Sequence, residues 1–95
     1  MPNTDPNPVA RNEALEAAML RLVAERGPDR TACPSEAARL VGGDHPDQWG
    51  PLMQPARRTA VRLMKQGRLV ITRKGRIVDP DDFKGVYRIS QPRSD

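Results

Sequence analysis

Apolar residues recur at helical spacing three times along this chain and alternate at strand spacing near its end. Over residues 12–26, Leu15, Ala18, Met19, Leu22 and Val23 recur every three or four positions. Glu13, Glu16, Arg21 and Glu25 stay off that face, so an amphipathic helix is expected. Gly27 and Pro28 stop it. Residues 30–32 read as a short extended piece. Residues 34–41 predict a second helix. Pro34 suits its first position, and Glu36 its third, where a carboxylate meets free amides. Gly42 and Gly43 end it, and residues 42–51 read as a loop with Trp49 as its apolar anchor. A third helix is predicted from Met53 or Gln54 to Gln66, burying Ala56, Ala60, Leu63 and Met64. Gly67 fits the left-handed position that closes it.

Alternation then takes over. Residues 69–72 predict a strand with Leu69 and Ile71 on one face and Val70 and Thr72 on the other. Residues 73–75 form a tight turn in which Gly75 supplies a positive φ. Residues 76–78 return, with Ile77 set to pack beneath the third helix. Residues 79–85 are polar and turn-like, and residues 86–90 read as a last short strand. The predicted class is mostly α with a small β-hairpin or sheet (α+β), in the order of a winged helix-turn-helix.

Composition adds boundaries. Ninety-five residues allow one domain. The run of residues 1–8 holds three prolines and no apolar pattern. The expected division is a disordered lead over residues 1–11, one domain over 12–90 and a flexible tail over 91–95. The single cysteine, Cys33, excludes an internal disulfide. No apolar stretch resembles a signal peptide or a membrane span, so a cytoplasmic protein with no membrane partner is expected.

Charge changes the picture most. The formal net charge is only +4, but its placement is uneven. Residues 48–78 contain no acid and eight bases, Arg57, Arg58, Arg62, Lys65, Arg68, Arg73, Lys74 and Arg76. Such a field attracts polyanions. At about 100° per residue, Gln54, Arg58, Arg62 and Lys65 share a sector of about 80° on the third helix, opposite its apolar face. Arg57 lies nearer the helix edge. Arg and Gln are the side chains that grip phosphates and read guanine and adenine edges. Arg73, Lys74 and Arg76 crowd the hairpin, which in a winged helix touches the neighbouring backbone. The expected duplex-DNA contacts are therefore Gln54, Arg57, Arg58, Arg62, Lys65, Arg73, Lys74 and Arg76. The alternative is a protein-interaction module whose basic face docks an acidic partner. The ten-residue connection between the second and third helices, long for a helix-turn-helix, favours that alternative.

Enzyme chemistry finds little footing. Cys33 and His45 are the only cysteine and histidine, and a nucleophile–base pair would need them adjacent. Free cysteines are more often packing residues, and His45 sits in a Gly/Asp/Pro stretch. A zinc site needs three or four ligands. Asp79, Asp81 and Asp82 lack the calcium-loop pattern and read as turn formers. No Gly-rich cofactor loop follows a strand, so no cofactor is expected. Trp49, Phe83 and Tyr87 are too few and too scattered for a single-strand stacking platform.

Several segments together resemble a known family. They are residues 33–39 (CPSEAAR), Trp49 with Leu52-Met53, Pro55-Ala56-Arg57 and Gly67-Arg68-Leu69, then residues 74–80 (KGRIVDP) and Lys84-Gly85. They look like a bacterial domain family of unknown function, made of small winged-helix-like proteins, over roughly residues 12–89. The resemblance implies a fold and carries no catalytic or binding residues.

Overall fold

The computed structural model describes residues 8–93. Of the expected disordered lead over residues 1–11, residues 1–7 lie outside the described residues, as do the last two positions of the tail, while residues 8–11 are helical, the first turn of a longer first helix. The elements are α1 (Pro8–Arg26), β1 (Thr31–Ala32), α2 (Pro34–Gly42), α3 (Pro46–Trp49), α4 (Met53–Lys65), β2 (Val70–Arg73), β3 (Arg76–Ile77) and β4 (Arg88–Ser90). The chain is thus an α+β domain of helices against one small antiparallel sheet.

α1 buries the predicted stripe, Leu15, Ala18, Met19, Leu22 and Val23. It starts at Pro8, four residues before the periodic pattern, because proline at a helix start costs no hydrogen bond. Its extra turn, with Val9 67% exposed, is therefore invisible to a search for buried spacing. α2 begins as expected. The Cys33 amide donates to Glu36 Oε2 at 2.9 Å, and the Glu36 amide donates back to the Cys33 carbonyl at 2.9 Å.

Residues 42–51, expected to be a loop, instead contain α3 and a 3-10 turn over Gly50–Leu52. Pro46 opens α3, and His45 caps it by accepting from the Asp47 amide on Nδ1 at 3.1 Å. Four residues carry no helical period, so the composition alone suggested a loop. The corner into α3 is tight: a Cβ on Gly42 would lie 2.6 Å from the Gln48 carbonyl oxygen and 2.7 Å from Leu52 Cδ1.

α4 buries Pro55, Ala56, Thr59, Ala60 and Leu63, while Met64 is half-buried against the core. Gly67, at φ +76°, turns the chain, and the Arg68 amide returns to the Leu63 carbonyl at 2.9 Å, as in a Schellman closure.

The sheet runs β1-β4-β2-β3. The last strand in sequence is central. Ala32 pairs with Ile89, and Ile89 with Ile71, giving a fully buried row that meets Leu15, Met19 and Leu63 in the core. β2 and β3 form a hairpin in register Arg73↔Arg76. Its two turn residues, Lys74 at φ +52° and Gly75 at φ +81°, give a type I′ turn, whose twist matches the strands. Ile77 is only half-buried. Val78 does the packing expected of it, lying against the core with its amide donating to the Ile71 carbonyl at 3.0 Å.

Candidate functional site

α4 and the β2–β3 hairpin carry the eight residues expected from the sequence to contact DNA. Gln54 and Arg58 are exposed on α4, and Arg58 has no ion-pair partner among the described residues. It lies at the middle of the exposed sector.

The flanks of that sector are not bare. Arg62 Nη2 donates to Glu16 Oε1 of α1 at 2.8 Å, and Arg68 Nη1 donates to Glu16 Oε2 at 3.1 Å. One carboxylate thus holds two cations of the acid-free segment. The hydrogen bond from Arg62 in particular holds the Glu16 carboxyl below the usual carboxylate range, against an opposing push from partial burial. On the other flank, Lys65 Nζ sits 2.6 Å from Asp81 Oδ1. The segment that is +8 in sequence is therefore partly neutralised in space. Glu16 and Asp81, both outside the segment, fold onto its middle at Arg62, Lys65 and Arg68.

Arg57 takes a different place. Its guanidinium lies over the Phe83 ring, 3.8 Å from the centroid, and 5.8 Å from that of Tyr87. Its Nη2 also donates to the Phe83 carbonyl. Phe83 and Tyr87 meet edge to face at 5.3 Å, and both are buried. Arg57 therefore ties α4 to the segment between β3 and β4. This cluster was missed in the sequence because cation–π contacts between residues 26 positions apart leave no local signal.

On the hairpin, Arg73 Nε donates to the Val86 carbonyl at 3.0 Å. Lys74 and Arg76 are exposed and unpaired among the described residues. The eight predicted residues thus divide into an outward set (Gln54, Arg58, Lys74, Arg76), an acid-paired set (Arg62, Lys65) and a set spent on the protein's own carbonyls (Arg57, Arg73).

Cys33 is half-buried, with Sγ 2.9 Å from Ser35 Oγ. His45 is committed to the α3 cap. Burial pushes the neighbouring Glu36 carboxyl up, but the Cys33 amide and Arg26 outweigh it, leaving the group below its ordinary range. Among the described residues no cluster of three or more His, Cys, Asp or Glu side chains could hold a metal ion. A shallow groove between α1 and α2 is lined by Ala14, Ala17, Ala18, Arg21, Leu40 and Val41. No described helix is long and apolar enough to cross a membrane.

These features define a small α+β domain with a divided basic surface on one helix and one hairpin. Residues 12–92 match a family described as a protein of unknown function (DUF3253). The chain belongs to that family. No curated protein matches it.

Proposed function

We propose that this chain is a small winged-helix domain that binds duplex DNA, with α4 as the recognition helix and the β2–β3 hairpin as part of the wing. The observation that carries the reading is the outward set. Arg58 and Gln54 project from the N-terminal half of α4, and Lys74 and Arg76 from the hairpin, with no acid paired to any of them among the described residues. Recognition helices read base edges with their N-terminal residues, the half of α4 that Glu16 and Asp81 leave uncovered. The element order supports the same reading. A strand precedes α2, a helical turn links α2 to α4, and the last strand inserts between β1 and β2.

In this reading Arg58 grips phosphate or guanine, Gln54 reads a base edge, and Lys74 and Arg76 hold the backbone. Arg62 and Lys65 sit at the margins, and Arg57 acts as an internal clamp. The test is a binding series on several unrelated duplexes. Arg58→Ala is expected to weaken binding while leaving the fold intact. Lys74→Glu is expected to weaken all duplexes about equally, and Gln54→Ala to change their ranking. Binding of every duplex as tight as wild type in all three variants contradicts the assignment. The cytoplasmic location follows from a DNA partner and is part of the proposal.

A further inference from the structure

The segment between β3, which ends at Ile77, and β4, which starts at Arg88, has its backbone held from two sides. Arg57 of α4 donates to the carbonyl of Phe83, and Arg73 of β2 donates to that of Val86. Phe83 and Tyr87 anchor its second half in the core. Between them, Gly85 adopts φ +81°, and a Cβ there would lie 3.2 Å from the Arg73 guanidinium. Three residues are left projecting. Lys84 is exposed and unpaired among the described residues. Val86 is 83% exposed, more than any other large apolar side chain described.

Single exposed apolar residues are ordinary, and a loop lysine alone is a solvated charge. The distinguishing feature is the use of two arginines to fix the backbone beneath an exposed tip. Fixing a loop in advance removes an ordering cost from whatever it later contacts. The chemistry on offer is one cation and one short aliphatic group. That pair fits a phosphate and the apolar sugar edge beside it in a groove. Of the acids at the base of the segment, Asp81 is paired with Lys65, and Asp79 Oδ1 accepts from the neutral Asp81 amide at 2.9 Å, with no cation paired to it among the described residues. Asp82 remains as a boundary charge.

We infer that Lys84-Gly85-Val86 is a second nucleic-acid contact arm, distinct from the Lys74-Gly75 tip, with Lys84 on phosphate and Val86 against the groove wall of the same duplex. The inference rests on the DNA-binding reading of α4 and the hairpin. It implies that Arg57 and Arg73, whose charges suggest DNA contacts, act by presenting this arm.

The experiment compares the full chain with Lys84→Glu, Val86→Asp, Val86→Ser and Arg58→Ala by fluorescence anisotropy on one labelled duplex across a salt series, with melting curves for each. Wild type binds. Lys84→Glu lowers the magnitude of the log–log salt slope by about 1, the expectation for one lost phosphate contact. Val86→Asp weakens binding, and Val86→Ser weakens it less while leaving the slope unchanged. None of the three shifts the melting temperature as a core substitution does. If wild type and all three arm variants bind equally while Arg58→Ala binds more weakly, the arm is overturned and the DNA reading stands. If wild type fails to bind duplex, the DNA reading falls and the arm with it. An acidic polypeptide bound in place of DNA is that second result.

Discussion

Arg62 of α4 donates to Glu16 of α1 at 2.8 Å, and the same carboxylate also accepts from Arg68. This ties the first helix to the C-terminal half of α4 and the turn after it, and pairs two cations of the acid-free segment with one carboxylate. Glu16→Gln should loosen it. The pair is substantially exposed, with side chains 30% and 43% accessible for Glu16 and Arg62, so the stability change should be within about 1 kcal/mol. DNA affinity at low salt should rise, because both guanidinium groups become available. Because the Glu16 carboxyl is held below its ordinary range, its contribution is present above the unfolded carboxylate pKa and is lost as pH falls through the folded one. Thermal melts between neutral and acid pH should show a smaller loss in Glu16→Gln than in wild type.

That relationship also marks where the sequence stops being readable. α4 was legible because apolar residues repeat every three or four positions between a proline in its first turn and a closing glycine. The hairpin was legible because Lys74-Gly75 joins two alternating runs. α3 is four residues long, too short for any period, and is defined by its local His45 cap. The extended piece read at residues 30–32 is β1, but its pairing with β4 joins residues too distant for any local signal. At the site, which cations exist was plain. Which of them face outward depends on Glu16, Asp81 and Phe83, residues that only the tertiary fold brings near. The apparent +8 segment was accurate as a count and misleading as a surface.

Arg57 and Arg58 are neighbours with opposite expected behaviour. Arg58→Ala should change stability by less than about 0.5 kcal/mol, as for an exposed residue with no structural partner. Arg57→Ala removes a cation–π contact and a hydrogen bond to a carbonyl, and should cost about 1–2 kcal/mol. Urea denaturation of the two variants side by side separates these roles. Equal midpoints would show that Arg57 is not the clamp described.

Leu63 is fully buried between α4 and the sheet. Leu63→Ala should cost about 2–5 kcal/mol, the benchmark against which the surface variants are judged. A loss below about 1 kcal/mol by chemical denaturation would contradict the packing.

Lys74 holds φ +52° without being glycine, which is strained for most side chains. Asparagine tolerates this region and precedes glycine in many type I′ turns. Lys74→Asn should therefore stabilise the domain, by up to about 1 kcal/mol, while weakening DNA binding. A parallel rise or fall of stability and affinity would argue against a phosphate contact at the tip.

Tyr87 is buried, and its hydroxyl has no hydrogen-bond partner among the described residues. Burial pushes the phenol up to about 12, opposed by nearby Arg57. The folded state therefore favours the neutral ring. Its contribution is complete below pH about 10, where the unfolded phenol titrates, and falls away as pH rises toward 12. Tyr87→Phe should leave stability at neutral pH nearly unchanged, since no hydrogen bond is lost, and should flatten the alkaline decline. An alkaline melt series that is the same in both proteins would place the loss elsewhere.

The central claim, that the outward cations of α4 and the hairpin meet duplex DNA, is tested most directly by the salt dependence of binding. Arg58, Lys74 and Arg76 are the exposed bases of that surface without an ion-pair partner among the described residues, and the proposed arm adds Lys84. Three or four phosphate contacts give a log–log slope of about −3 to −4 for B-form duplex. The measurement is the affinity of the intact chain for one duplex from low to moderate salt. A slope in that range that becomes shallower in Lys74→Glu is the result this account predicts. A flat salt dependence, or no binding at micromolar duplex and low salt, would contradict it.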